Sequence, residues 1–180
     1  MSERDLSNYN NSWYHPGRNA LVRGLWYCTN VLFFKSAWWP YSGLKRALLR
    51  CYGAKVGKGV VIKPCVNIKY PWHLQIGDFA WIGEGVWIDN LADVTIGANC
   101  CISQGAMLLC GNHDYTKAHF DLEVKPIVLE DGAWVGAKAV VCPGVTIGED
   151  GVLTAGSVAT HDIEARTVCQ GNPATQKKKG

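Results

Sequence analysis

A six-residue rhythm constrains this chain more than any other feature. From Val56 the sequence reads VGKGVV, IKPCVN and IKYPWH, then, after a two-residue offset, IGDFAW, IGEGVW and IDNLAD. A second offset through Val94 and Thr95 leads into IGANCC, ISQGAM and LLCGNH, headed by Ile96, Ile102 and Leu108. Beyond a polar interruption the beat resumes at Leu129, Val135, Val141, Ile147 and Leu153. These make about fourteen or fifteen units, and a period of six is a signature of a β-helix. One aliphatic every sixth position, with a small residue four places later, suits a short strand followed by a corner. The aliphatic points inward, the small side chain fits where walls converge, and glycine permits tight backbone geometry. Three units close a coil of about eighteen residues, and successive coils stack about 4.8 Å apart through parallel ladders. The expected fold class is an all-β solenoid of about five coils, its hand left open by the periodicity.

The first fifty residues do not follow this period. Residues 1 to about 20 read as an irregular arm, and Asn19–Phe34 and Ser42–Tyr52 read as helices. Trp39-Pro40 separates them, because a proline disfavours helix just before it. Leu44, Ala47, Leu48 and Cys51 keep helical spacing up to the stop signal at Gly53. The organisation is therefore a mostly helical N-terminal appendage at 1–54, the β-helix at 55–164 with a loop at 111–126, and a tail at 165–180. The helical part is expected to cover one open end of the solenoid, while the tail, out of rhythm from Ile163, folds back or reaches a neighbour.

Composition narrows the partners. The formal charge of +3 and the lack of a basic stripe with interleaved aromatics argue against nucleic acid. Ala20–Leu32 is interrupted by Arg23 and falls short of the about 20 apolar residues a membrane span needs. Trp13, Trp26, Trp38 and Trp39, with Arg18, Arg23 and Lys35 nearby, allow peripheral membrane contact. Their polar and apolar positions do not separate cleanly, which favours packing on the main body or on a partner subunit. The start of the chain lacks a signal-peptide pattern. The eight cysteines include no C-x-x-C pair and read as reduced packing residues. The expected location is the cytoplasm, extending at most to the inner face of its membrane.

The rhythm breaks at Gly111-Asn112-His113-Asp114-Tyr115, and loops on rigid frameworks are where catalytic groups tend to sit. His113 is therefore the candidate catalytic residue. Asp89 and Asn90 also interrupt the pattern, at IDNLAD, and are candidates to orient His113 or to bind an acceptor. Glu84, Trp87 and Tyr115 are weaker candidates for the same acceptor wall. His15, His73, His119 and His161 each read, taken alone, as ordinary histidines.

The repeats, the loop NHDY, the run WVGAKAVVCPGVTIG and the ending AGSVATHD…GNPA resemble the left-handed β-helix acyltransferases of the hexapeptide-repeat superfamily. YPWHLQIGDFAWIGEGVWIDNLADVTIG and CISQGAMLLCGNHDYTKAHFDLEVKPIVLEDGAWVGAKA are most similar to its colanic acid biosynthesis O-acetyltransferases. The resemblance implies a homotrimer with acetyl-CoA lying in a cleft between adjacent prisms. It places His113 where the family's general base sits, and Trp134 against the pantetheine arm. Ala137, in the run Gly136-Ala137-Lys138, falls where a backbone N–H meets the thioester oxygen. Ala155, Gly156, Thr160 and His161 match positions that contact the lower arm and phosphates of the cofactor. Relatives often carry lysine at the position of His161, so Lys138 or the tail lysines are candidates to take that role. The implied acceptor is a sugar hydroxyl, free or on a lipid-linked oligosaccharide, and no metal is implied. Two other readings use the same prism: a non-catalytic trimeric scaffold, and a γ-type zinc carbonic anhydrase drawing on His73, His113 and His119.

Overall fold

The computed structural model describes residues 5–177; Lys178 and Lys179 of the tail run lie outside them. The repeats build a left-handed parallel β-helix of about 6 turns. The first wall stacks Lys55–Val56, Leu74–Ile76, Val94–Ile96, Ile127–Leu129 and Thr146–Ile147. The second stacks Val61–Ile62, Trp81–Ile82, Cys101–Ile102, Trp134–Val135, Val152–Leu153 and Val168–Gly171. The third stacks Asn67–Ile68, Trp87–Asp89, Met107–Leu109, Val140–Val141 and Val158–Ala159.

The period of six appears directly as buried columns. Ile62, Ile82, Ile102, Val135, Leu153 and Cys169 are in register up the second wall, all buried. Ile68, Ile88, Leu108, Val141 and Ala159 form the equivalent column on the third. The small residues four places on, such as Ala80, Cys100, Ala106, Ala133 and Ala139, are buried where the walls meet.

Coil length is not uniform, and the two offsets in the sequence explain why. In the early coils Val56 pairs with Ile76 and Ile76 with Ile96. Later, Leu129 pairs with Ile147, across a shorter stretch of chain made of three plain repeats. The extra pair of residues in the early coils lengthens the first wall, where Leu74 and Val94 add a further buried apolar position ahead of Ile76 and Ile96. Between Ile96 and Leu129 the chain leaves the prism as a hairpin and returns in register.

The expected departure from rhythm after Ile163 does not occur there. Ile163 bridges to Ile147, and Cys169 pairs above Leu153, so the tail begins a sixth turn. The stretch from Ile147 to Ile163 is shorter than three full repeats, which hides its period in the sequence. The chain then reverses through Asn172-Pro173, and Ala174–Gln176 pairs antiparallel with Val168–Gly171.

The other end is closed by helices α1 (Ala20–Thr29), continued by a π-helical turn at Asn30–Phe34, and α2 (Ser42–Cys51). The first coil has no coil beneath it, so its carbonyls need other donors. α2 supplies them from one face: Ser42 Oγ donates to Ile62 O, Lys45 Nζ to Lys63 O at 2.8 Å, Arg46 Nη1 to Val60 O, and Arg50 to Val56 O and Gly57 O. This accounts for Lys45 being fully buried, its ammonium pK lowered by desolvation. On the third wall, Trp26 Nε1 donates to Ile68 O, and Asn30 bonds Asn67 Oδ1. Trp26, 2% exposed, also stacks edge-on against Phe34 and Tyr52.

Of the four tryptophans in this region, Trp26 packs on the body, whereas Trp38 is 88% exposed. Leu21, Leu25 and Leu32 are exposed as well, on the outer side of the same helix. No helix among the described residues is long and apolar enough to cross a membrane.

Two substitutions test this architecture. Ile102→Ala, in the middle of a buried column, is expected to cost about 2–5 kcal/mol, and Trp26→Ala about 3–5 kcal/mol, in denaturant unfolding. Losses under about 1 kcal/mol at both positions would show that neither the column nor the cap holds the prism together.

Candidate active site

The polar interruption folds as a hairpin. Gly111–His113 pairs antiparallel with Leu122–Val124, placing His113 opposite Leu122. Its tip closes on itself: the Asp114 carboxylate accepts from the backbone and hydroxyl of Thr116, which holds its pK below the ordinary value. Lys117 pairs with both Asp114 and Asp121, at 3.4 and 3.2 Å.

Phe120 takes a left-handed φ of 52°, and its carbonyl lies 2.9 Å from His113 Nδ1. The two rings stack at 4.3 Å with an interplanar angle of 5°. A carbonyl only accepts, so Nδ1 carries the hydrogen and the lone pair of the neutral ring sits on Nε2. Neither Asp89 nor Asn90, the residues expected to orient the imidazole, is its hydrogen-bond partner.

Those two side chains have different surroundings. Asn90 is fully buried and bridges the backbone N–H and carbonyl of Tyr70, one coil below. It braces the corner and lines neither the His113 cavity nor the one beside Trp87. Asp89 forms an ion pair with Lys69 at 3.0 Å and shares a cavity of about 490 Å³ with His113, Tyr14, Arg23 and Tyr70.

The arm before the helices forms the far side of this cavity. Tyr9 lies 5.7 Å from the His113 ring, Asp5 N–H donates to Ala118 O, and Tyr14 Oη donates to Leu91 O. Burial, with Tyr70 and Asp89 nearby, pushes the Tyr14 phenol well above its usual range, so it remains a hydroxyl donor. Trp72 Nε1 donates to Pro16 O and anchors the end of the arm. Trp87, 42% exposed, stands on the outer face of the third wall and lines an adjoining cavity with Asp89. Tyr115 is exposed at the hairpin tip, apart from this group.

The remaining candidates divide between the two edges of the third wall. Glu84, Ala137, Lys138, Ala155 and Gly156 belong to the corner between the second and third walls. There Gly105 N–H donates to Glu84 O, and Gly156 N–H to Ala137 O. A Cβ on Gly136 would collide with the backbone of Ala155 in the coil above, so the sequence can place only glycine there. Trp134 is half exposed on the outer face of the second wall, its indole N–H donating to Ser103 Oγ at 2.9 Å. Thr160 and His161 hydrogen bond to each other at the opposite corner, where Thr160 shares a cavity with Asn112 and Lys125. Within one chain the His113 group and the Ala137 group therefore lie a wall's width apart.

Thiols and metal ligands follow other patterns. Burial pushes the Cys100 and Cys110 thiols up to about 11, so near neutral pH neither is a thiolate nucleophile. His73 pairs with Asp93 at 2.7 Å. Among the described residues no three His, Cys, Asp or Glu side chains group as a metal site.

Residues 126–161 match the family model described as the hexapeptide repeat of succinyl-transferase. Over 173 residues the chain is 42% identical to the protein named as the colanic acid biosynthesis acetyltransferase WcaF of Escherichia coli (strain K12), covering 95% of this chain and 94% of that one. This chain is a hexapeptide-repeat acetyltransferase. Its fold also matches two solved acetyltransferases. VCA0836 from Vibrio cholerae O1 biovar eltor, complexed with acetyl coenzyme A, superposes with a TM-score of 0.78 at 25% identity, covering 88% of this chain and 87% of that one. Galactoside acetyltransferase in complex with coenzyme A gives 0.78 at 26% identity, covering 88% and 80%.

Some residues of this acetyltransferase's cavity escaped the sequence reading. Lys69 follows Ile68 as Asp89 follows Ile88, and those two isoleucines pair one coil apart, so counting coils would have placed Lys69 below Asp89. Tyr9, Tyr14 and Phe120 have no such signal, since an irregular arm and a left-handed turn carry no period.

Gly136→Ala tests how closely the coils approach at the Ala137 corner. Forcing the coils apart is expected to cost about 1–3 kcal/mol, read as a lowered midpoint in thermal unfolding. An unchanged midpoint would mean that this corner relaxes freely.

Proposed function

We propose that this acetyltransferase moves the acetyl group of acetyl-CoA to a hydroxyl of a sugar in cytoplasmic exopolysaccharide biosynthesis, with His113 as general base. The observation that carries the reading is the bond from His113 Nδ1 to Phe120 O, which leaves Nε2 as the proton acceptor of a side chain lining a polar cavity. The supporting likenesses are to WcaF, named for colanic acid biosynthesis, and to acetyltransferases bound to acetyl-CoA or CoA.

A sugar hydroxyl is almost un-ionised at neutral pH, so its attack on a thioester needs a base within hydrogen-bond reach. As the new C–O bond forms, the hydroxyl proton moves to His113 Nε2. When the C–S bond breaks, that proton leaves with the sulfur as CoA thiol. No acetyl-enzyme is required. The oxyanion that develops between these steps needs a fixed donor, and the backbone N–H of Ala137 on a rigid rung is the candidate. Trp134 offers an exposed flat surface for the pantetheine arm, with Gly136, Lys138, Ala155 and Gly156 beside it. Asp89 and Trp87 stand as the acceptor wall of the cavity.

Because the His113 and Ala137 groups occupy different corners, the complete site needs two copies, one contributing the hairpin and the next contributing the second-wall corner. A closed ring of three prisms forms three such grooves. Glu84, Thr160 and His161 would then face the cleft from either side.

His113→Ala is expected to lower transfer, followed by thiol release, at least about a hundredfold with the fold intact by circular dichroism. Near-wild-type turnover would refute the base assignment, and tight CoA binding without any turnover in the native protein would favour a scaffold. Sedimentation is expected to show trimers; a fully active monomer would overturn the two-copy groove.

A further inference from the structure

Building on this acceptor reading, we propose that Arg23, Lys35 and Lys69 form an anion subsite beside the acceptor pocket, so that the sugar acetylated here carries a carboxylate or a phosphate. The His113 cavity opens beside a second, of about 430 Å³, and both are lined by Arg23, Lys69, Tyr70 and Asp89. Three cations, Arg23, Lys35 and Lys69, face this second space, against a single carboxylate, Asp89. Asp89 is already paired with Lys69, which leaves Arg23 and Lys35 without a counter-ion among the described residues.

Arg23 is the unusual member. It sits on the inward side of α1, one turn before Trp26, and no ion pair engages it among the described residues. Among the described residues its Nε is shielded from solvent and has no hydrogen-bond partner, nor has Asp89 Oδ1, which meets Lys69 only as an ion pair. Unsatisfied buried donors are rare in folded proteins, and one on a guanidinium at a cavity wall points to an absent acceptor. Tyr14 does not supply the missing charge, because its phenol stays protonated. A guanidinium presents its donors in a fork that matches a carboxylate or a phosphate.

The space for such a group is open. Gly24, in the interior of α1, also lines the second cavity, and a Cβ added there would meet nothing within 4 Å. A glycine in a helix interior is destabilising relative to alanine, so its presence at this mouth fits a ligand passing over the helix. Trp87 lines the same second cavity as the three cations and offers a ring there against which a sugar can lie.

The test compares kcat/KM for three acceptors: a neutral hexoside, a hexosyl phosphate, and a disaccharide of a hexose with a uronic acid. At least one anionic acceptor is expected to exceed the neutral one about tenfold or more, chiefly through KM, and which of the two wins identifies the anion's source. Arg23→Gln and Lys35→Gln should each shrink that ratio several-fold, with folding checked by thermal unfolding. Lys35 is exposed on the cavity rim, so its variant serves if Arg23→Gln fails to fold. Equal use of all three acceptors, or an anionic preference unchanged in the variants, overturns the subsite. Calorimetric binding of the hexosyl phosphate to the His113→Ala protein separates this outcome from failure of the base assignment. Binding that survives there but is lost in the Arg23 variant supports the subsite whatever becomes of the base.

Discussion

The molecule depends on one interaction, the parallel stacking of coil on coil, with each inward aliphatic resting on its counterpart above and below. Each strand is only a few residues long and would not persist alone. What holds it is the continuity of the columns, such as Ile62, Ile82, Ile102, Val135, Leu153 and Cys169. Where backbones approach most closely, as at Gly136 under Ala155, even one methyl group is excluded. The same stiffness fixes the backbone N–H of Ala137 in a single orientation, as its proposed role as oxyanion donor requires.

A stack of this kind has two problematic ends and one deliberate defect. At the first end α2 turns Ser42, Lys45, Arg46 and Arg50 onto carbonyls that would otherwise lack donors. At the last end the tail reverses and pairs with its own final rung. The defect is the hairpin between Ile96 and Leu129, which projects His113 beyond the prism. Its rigidity is local: the carbonyl of Phe120 and the stacked ring hold the imidazole from within the hairpin. The arm then lies against it through Tyr9 and Asp5, so the part of the chain least like a repeat completes the cavity that the repeats leave open.

Legibility followed periodicity. His113 was visible because it stands where the beat stops, and Asp89 because it occupies a position in IDNLAD where an aliphatic wall was expected to continue. Asn90 shares that signal but has another use: buried, it bonds the backbone of Tyr70 in the coil below. A polar residue that breaks a hydrophobic pattern reports a special position without saying whether that position faces a ligand or another strand. Lys69 was hidden for the opposite reason, since a lysine on an outer face looks ordinary until the longer early coil sets it under Asp89. The rung at Ile163 and Cys169 was missed because a shortened coil breaks the count while the ladder continues.

Local spacing is enough to specify the solenoid, its three walls, the helices at its start and the place where the chain leaves the prism. Each residue in such a stack meets only neighbours one coil away, so the pattern along the chain already contains the contacts. Which groups share the cavity is settled only by the folded chain, because Tyr9, Tyr14, Arg23, Asp89 and His113 come from separate stretches that no repeat relates. The same holds for the nitrogen of His113 that keeps its lone pair, since that depends on a carbonyl seven positions away in a left-handed turn. Period encodes what stacks; what meets across the arm, the helix and the hairpin is set by how the ends of the stack are covered.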